Sequence, residues 1–163
     1  MTFHITHPKT QEECARIAQF QVDMAWESEG ATLDKNIVLR GVQMAVEDPE
    51  AKGRYYIAKS SEPLSMGETT YPAGTVVGSL FLTREWSDWH CEWYWWIQSV
   101  FVNPHFRRMG AYRALYDEVI RQAKEKNVHE VRLYVDKENV KSQATYQHLG
   151  MQESHYLLYT REL

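Results

Sequence analysis

The chain has 163 residues, of which 44% are hydrophobic and 25% are charged, and its formal net charge is -4 at pH 7. This length predicts one domain with a sizeable core. The acidic balance argues against a general nucleic-acid binder, which needs a basic face, and no apolar run predicts a membrane span. Two cysteines are too few for a disulfide framework and the start of the sequence lacks a signal pattern, so we expect a cytoplasmic protein.

Hydrophobic periodicity, helix caps and turn residues divide the chain into predicted strands and helices. In chain order these are a strand at 3–7, a helix from 11 that stops at Gly30, a helix at 34–46, a strand at 54–59, a loop at 61–74, strands at 75–83 and 92–102, a helix at 108–124, a strand at 131–135, a helix after Asn139 and a strand at 154–160. The order β-α-α-β-β-β-α-β-α-β predicts an α/β fold, with a mixed α+β sheet flanked by helices.

The segment between the strand at 92–102 and the next helix combines several features of an anion site. A helix start leaves its first backbone N–H groups unpaired and carries a partial positive charge, which attracts phosphates. Arg107 and Arg108 add charge-assisted bonds to phosphate oxygens, and Gly110 lets a ligand approach the backbone closely. Because an Arg-x-x-Gly spacing is also typical of an ordinary solvated helix start, this segment alone leaves both interpretations open.

A second segment adds to the first. The strand at 131–135 leads to Asn139, a good helix cap, and the helix that follows stops at Gly150. On this helix, Tyr146 lies seven residues after Asn139, and the sequence that closes it is Leu-Gly-Met. Two segments in this order, with a helix and a strand between them, are more specific than either one.

Together the two segments resemble the GCN5-related N-acetyltransferases, the GNAT superfamily. The acetyl-CoA signature of that family is Gln/Arg-x-x-Gly-x-Gly/Ala, which Arg107 and Gly110 match, with Tyr112 where a small residue is usual. The family also ends in a helix that carries Tyr seven residues after Asn and closes with Leu-Gly-Phe. Here Ser142 replaces the usual Ala and Met151 replaces the Phe.

The resemblance implies a GNAT-like acyl-CoA N-acyltransferase fold, in which a mostly antiparallel central sheet contains a splayed parallel pair of strands. It implies one N-acetyltransferase domain over 1–163 that uses acetyl-CoA as cosubstrate and acetylates a primary amine of a small molecule or peptide by direct attack. The cofactor-binding residues that it implies lie on the strand, the turn and the two helix starts: Val100, Phe101, Val102, Arg107, Arg108, Met109, Gly110, Ala111, Tyr112, Arg113, Asn139 and Ser142.

The resemblance also implies how the reaction is catalysed. The backbone near Val100 and Val102 would pair with the pantetheine arm, and an N–H of that strand would polarise the thioester carbonyl. Tyr146 would be the general acid, since a phenol with the ordinary pKa of ~10 is protonated at neutral pH. Two alternatives remain: Tyr146 is a packing residue, and the chain is a non-catalytic acyl-CoA-binding or interaction module.

Candidate acceptor-binding residues are Glu27, Glu29 and Trp96. The two carboxylates can attract a cationic amine or act as the base, although a solvated acidic helix end has the same pattern. Tryptophans at 86, 89, 93, 95 and 96 can surround a cation, but we expect a mixture of core packing and an exposed homodimer face. Glu92 is too far along the strand for direct proton transfer, so we expect water to act as the base. No histidine pair has metal-ligand spacing, and no metal site is predicted.

Overall fold

The computed structural model of the chain describes residues 3–163. The chain divides into two compact units, Met1–Leu133 and Tyr134–Leu163. The elements of the first unit, in chain order, are β1 (Phe3–Thr6), α1 (Gln11–Glu29), α2 (Lys35–Glu47), α3 (Pro49–Lys52), β2 (Arg54–Ser60), β3 (Leu64–Met66), β4 (Thr69–Tyr71), β5 (Val76–Ser87), β6 (Glu92–Val102), α4 (Ala111–Glu125) and β7 (Glu130–Leu133). The second unit contains α5 (Val140–His148).

Five of the strands form one mixed sheet in the order β1-β2-β5-β6-β7. All neighbours in it are antiparallel except β6 and β7, which run parallel and are joined through α4. The sheet confirms the predicted α/β fold, with its mostly antiparallel order and one parallel pair. A parallel pair needs a crossover connection, and α4 supplies it.

Helices cover both faces of this sheet. Neighbouring strand residues point to opposite faces, so Tyr55 and Tyr56 on β2 mark the two sides. Tyr55 packs in a buried cluster with Cys14 and Ile17 of α1 and residues of α2. The hydroxyl of Tyr56 donates instead to Gln122 on α4, at 2.8 Å. The α1–α2 pair and α4 therefore lie on opposite faces of the sheet. The deep position of Tyr55 also affects its hydroxyl, because burial raises the pKa of Tyr55 to about 12.

Both ends of α1 are fixed by local contacts. The Thr10 side chain accepts from the backbone N–H of Glu13, whose carboxylate accepts from the N–H of Thr10 and forms an ion pair with Lys59. This reciprocal arrangement satisfies N–H groups that a helix start leaves unpaired. At the other end, Gly30 adopts a left-handed φ of 62°, and its N–H donates to the carbonyl of Trp26. The predicted stop at Gly30 is confirmed.

Most predicted elements agree with the structure to within a few residues, but α3 was not predicted. Three further differences stand out. The loop at 61–74 contains the short hairpin of β3 and β4. The helix predicted from 108 begins at Ala111, because Arg108 and Gly110 have positive φ values that a helix does not contain. The strand predicted at 154–160 is wrong. Tyr156, Leu157, Leu158 and Tyr159 are largely exposed there, and a strand needs a pleated, half-buried surface to pack on.

In the second unit, α5 begins as predicted. The side chain of Asn139 accepts from the N–H of Ser142 at 3.0 Å, which caps the helix. Gly150 follows the helix with a φ of 87°, as expected for a residue that stops a helix. Across residues 3–163, no helix is both long enough and apolar enough to cross a membrane.

Candidate functional site

The two parallel strands separate part of the way along β6. Their pairing runs from Tyr94–Glu130 to Ile97–Leu133, while β6 continues to Val102. Within the described residues, no strand pairs with residues 98–102 on the side that faces away from β5. We call this side the open edge of β6.

The backbone groups of two valines face the open edge. The trans peptide between Val102 and Asn103 donates its N–H to Val77 of β5 at 2.9 Å, so its carbonyl points to the opposite side. Residues of an antiparallel ladder alternate in the direction of their backbone groups, so Val100 and Val102 both direct their N–H and C=O to the open edge. These are the two residues whose backbone, as the family resemblance implies, would pair with the pantetheine arm.

A β-bulge separates the two parts of β6. Phe81 of β5 pairs with Ser99, whereas the next residue, Leu82, pairs with Ile97, which leaves Gln98 without a partner across the ladder. A bulge bends a strand and increases its twist. It lies directly after the last pair with β7, so it marks the place where the open edge begins.

The turn after β6 has an unusual backbone. Arg107 has a φ of -69°, whereas Arg108 and Gly110 have φ values of 64° and 92°. A Cβ added to Gly110 would meet nothing within 4 Å, so the space beside it is open. Gly110 is also the N-cap of α4 and supplies no side-chain cap. Backbone N–H groups at such a turn and helix start form a suitable cradle for an anion.

The three arginines of this segment have different surroundings. Arg113 donates through Nε to both carboxylate oxygens of Asp117, at 2.8 Å. Arg107 donates to both oxygens of Glu27, at 2.7 and 2.6 Å, and these bonds raise its pKa above the ordinary value. No residue from 3 to 163 forms an ion pair with the exposed Arg108. Of the three, Arg108 is the cation available to a phosphate.

The other predicted members of this segment differ in exposure. Phe101 and Ala111 are buried, Met109 and Tyr112 are half-buried, and Arg108 lies on the surface. Buried Phe101 packs against Phe20 of α1, with ring centroids 5.5 Å apart. Phe101 and Ala111 therefore contribute packing under the turn, and a ligand contact from either would come from its backbone.

The end of α1 lies next to this turn, where Glu27 of α1 accepts both bonds from Arg107. An open depression there is lined by Val22, Asp23, Trp26, Glu27, Ala31 and Thr32. The Trp26 side chain is 66% exposed, and the carboxylates of Asp23 and Glu27 lie one helical turn apart. The predicted acceptor residue Glu29 is exposed at the last position of α1. An indole beside two carboxylates suits a cationic amine.

The part of β6 that pairs with β7 has a closed side-chain network. The guanidinium carbon of Arg132 lies 3.6 Å from the centroid of the Tyr94 ring and 5.6 Å from that of Trp96. Arg132 also pairs with Glu130, and the indole N–H of Trp96 donates to Glu85. Sequence reasoning missed Arg132, since nothing in a strand pattern identifies the ring that an arginine covers.

The crowded tryptophans do not divide by face as strand alternation suggested. Trp93 and Trp95 share one face of β6, yet Trp95 is 5% exposed and Trp93 is 38% exposed. Trp86 packs edge-on against Trp93, and Trp89 at the hairpin tip is 88% exposed. Burial thus falls along the strand towards the tip.

In the second unit, the predicted acid Tyr146 is half-buried on α5. Asn139, predicted to bond the cofactor arm, uses its side-chain oxygen to cap Ser142. In the first unit, the carboxylate of Glu92, considered as a base, is paired with His129 at 2.9 Å near the start of β6. Among residues 3–163, no group of three or more His, Cys, Asp and Glu side chains is placed to hold a metal ion.

Comparisons with known proteins identify relatives of this chain. The family model described as "Acetyltransferase (GNAT) family" matches residues 42–151. The chain is similar to a possible acetyltransferase from Clostridium difficile 630, with 31% identity, a TM-score of 0.84, and 100% of this chain and 99% of the other covered. The comparison with curated proteins returned no match.

More distant solved structures share the fold. Aminoglycoside N-acetyltransferase AAC(6')-Iy in complex with CoA is 17% identical, with a TM-score of 0.70, and covers 99% of this chain and 97% of its own. A second structure of AAC(6')-Iy, in complex with the bisubstrate analog CoA-S-monomethyl-acetylneamine, is 20% identical and has the same TM-score of 0.70. The match covers 100% of this chain and 99% of the other.

Proposed function

Because this chain belongs to the acetyltransferase (GNAT) family and is an N-acetyltransferase with acetyl-CoA as its cosubstrate, we propose that it acetylates a primary amine of a small molecule or peptide by direct attack. Residues 1–163 act together as one N-acetyltransferase domain, since the family match extends into both compact units. The protein works in the cytoplasm, in keeping with its two unpaired cysteines, Cys14 and Cys91.

The observation that carries this proposal is the open edge of β6 next to the turn at Gly110. Acetyl-CoA supplies an acetyl group activated as a thioester. The turn holds its pyrophosphate through backbone N–H groups at the start of α4, with Arg108 as the cation. The open space and positive φ at Gly110 fit a backbone that a phosphate approaches closely.

The open edge has a second role in the proposal. Val100 offers its backbone N–H and C=O groups, and Val102 its N–H, in the direction in which an added strand would pair, while the Val102 carbonyl accepts from Arg107. One of these N–H groups donates to the thioester carbonyl oxygen and stabilises the negative charge that develops there. The valine side chains take no part in these contacts, so this step depends on the direction of the backbone groups.

Tyr146 is the proposed general acid. Its spacing from Asn139 matches the family pattern, and its half-buried position on α5 suits a phenol that holds its proton until the leaving thiolate needs it. The amine gives up its proton through water, because no carboxylate of the described residues 98–102 is available as a base on the strand itself.

The acceptor is a cationic amine in this proposal. Trp26, Asp23 and Glu27 line the depression at the end of α1. The indole of Trp26 and the carboxylate of Asp23 attract an ammonium group, whereas the charge of Glu27 is offset by Arg107. Glu29 adds negative charge at the same helix end, whereas Trp96 lies in the closed network with Glu85. A homodimer through the exposed tryptophans near Trp89 is also proposed, because exposed aromatic residues at a hairpin tip suit an interface.

Two measurements test the proposal. Titration calorimetry with acetyl-CoA and CoA should give micromolar affinities, with ATP as the comparison that binds weakly. Substitution of Tyr146 by Phe should reduce turnover on a panel of amines by ~10²–10⁴-fold, with acetyl-CoA affinity nearly unchanged. Equal turnover in the variant would remove Tyr146 from the mechanism. Binding without any turnover on the panel would favour the alternative, a non-catalytic acyl-CoA-binding module.

A further inference from the structure

The side chain of Arg107 is held by contacts within the protein. Its Nε donates to the carbonyl of Val102 at 2.9 Å, and its two terminal nitrogens donate to the two oxygens of Glu27. Its guanidinium carbon also lies 5.4 Å from the centroid of the Phe101 ring. Two parallel, charge-assisted bonds of this kind fix direction as well as distance. The guanidinium is therefore oriented by three partners at once.

These contacts join two elements that are distant in sequence. Glu27 lies in the last turn of α1, and it is 80 residues from Arg107. The Glu27 carboxylate lies near the negative end of the α1 dipole, which is unfavourable, and the last turn of α1 contains no basic residue to offset it. Arg107 offsets this unfavourable charge. Since Gly30 fixes the end of α1, the pair ties a defined helix end to the last residue of β6.

The carbonyl that Arg107 takes is the one that Val102 directs to the open edge. Arg107 thereby ends the row of edge groups and holds the final peptide of β6 in place. To bind a phosphate through its side chain, Arg107 would first have to give up two short bonds to Glu27. Arg108, with no ion pair among residues 3–163, has no such cost.

We propose that Arg107 is a positioning residue, which aligns the open edge and the end of α1 through Glu27 and does not bind phosphate through its side chain. The cofactor edge and the acceptor-side helix end are then mechanically coupled, because one guanidinium touches both. This inference rests on the proposed function, since it takes the open edge to be where acetyl-CoA lies.

A double-mutant cycle on the full chain tests the inference. We compare Arg107→Met, Glu27→Gln and the double variant, and measure acetyl-CoA affinity by calorimetry together with the free energy of unfolding. If Arg107 positions the edge through Glu27, each single substitution should weaken acetyl-CoA binding by about tenfold, and the double variant by about the same factor. Arg107→Lys, which can keep one bond to Glu27, should recover part of the affinity.

The alternative gives the opposite result for Glu27. If Arg107 were a phosphate ligand, Glu27→Gln would release it and leave acetyl-CoA affinity unchanged or improved. That outcome, or a double variant whose loss is the product of the two single losses, would overturn the inference. Arg108→Gln provides a second contrast, because losing a phosphate contact should reduce the salt dependence of binding, whereas Arg107→Met should leave it unchanged.

A matched control separates positioning from a general loss of stability. Arg121 and Glu118 on α4 form a similar pair through two bonds, at 2.9 and 2.7 Å. Glutamine at both positions should lower stability without changing acetyl-CoA affinity, and an equal loss of affinity there would also overturn the inference. Failure of the proposed function looks different, because the unmodified protein would then not bind acetyl-CoA at all.

Discussion

The two parts of β6 differ although they belong to one strand. Residues 94–97 pair with β5 on one side and β7 on the other, and the side chains of Tyr94 and Trp96 form the network around Arg132. Residues after Gln98 pair with β5 alone and direct the backbone of Val100 and Val102 to the open edge. In the first part, the backbone pairs with strands on both sides and the side chains form the contacts with Arg132. In the second part, backbone groups on one side are left for a partner.

This difference separates stability from binding within about ten residues of chain. Substitutions of side chains in the first part should change the free energy of unfolding and leave ligand affinity unchanged. In the second part, changes that move the backbone should alter affinity more than stability. The bulge at Gln98 is the boundary, so each substitution can be assigned to one side of it.

The largest expected effect comes from breaking the turn that follows the open edge. Gly110→Glu adds bulk and negative charge at a position with a φ of 92° and open space around it. We expect acetyl-CoA affinity to fall more than ~100-fold in calorimetry, through steric exclusion and repulsion of phosphate.

Gly74→Glu is the matched control for that substitution. Gly74 has a φ of 85° and an equally open surrounding, and it lies in the turn before β5. Both variants should lose about 1–3 kcal/mol of stability through backbone strain. Only Gly110→Glu should lose affinity; retained affinity in that variant would place the phosphate site elsewhere.

A smaller effect is expected in the paired part of β6. Arg132→Met keeps an unbranched apolar stem but removes the charged guanidinium from Tyr94, Glu130 and Glu85. Unfolding in urea should show a loss of about 1–2 kcal/mol, with acetyl-CoA affinity unchanged. Loss of affinity at unchanged stability would contradict the separation of the two parts.

The smallest effect is expected at a site that belongs to neither part. Burial of Glu13 opposes its charge, but hydrogen bonds from Lys59 and from the N–H groups of Lys9 and Thr10 prevail and hold its pKa below the usual value. A carboxyl whose pKa is depressed on folding contributes stability above its unfolded pKa of ~4.3, and that stability is lost as the pH falls through the folded pKa.

Glu13→Gln should therefore cost about 1 kcal/mol at pH 7, and the difference from the unmodified protein should shrink as the pH falls below about 4. Urea unfolding at a series of pH values measures this. Glu12→Gln, at the exposed neighbouring position, should show no such pH dependence. A pH-dependent loss in acetyl-CoA affinity for Glu13→Gln would link this site to the open edge and weaken the comparison.

Sequence reasoning reached the parts of the site that depend on local pattern. The positions of β6 and of the helix after Gly110, and the cap at Asn139, follow from alternation, glycine and capping residues that act over a few positions. The strand predicted at 154–160 shows the limit of the same reasoning, because the β-propensity there is not matched by burial of its large side chains.

Other features depend on contacts between distant residues. Strict alternation of side chains along β6 would put Gln98 on the same face as Tyr94 and Trp96. The bulge interrupts this alternation at Gln98, and it depends on how β6 pairs with β5, which no local pattern encodes. The partner of Arg107 lies 80 residues away. The sequence therefore identified Arg107 and Glu27 as separate candidates, one for cofactor and one for acceptor, and their ion pair became visible only in the fold.

The open edge also bears on how the protein should be handled. The backbone groups of Val100 and the N–H of Val102 pair with no strand among the described residues. They form a template on which an extended chain can add, including another copy at high concentration. A ligand that lies along this edge would shield it. Bound CoA, the product of the reaction, would then protect the protein against self-association, and concentrated stocks prepared with it should scatter less light over time than stocks prepared without it.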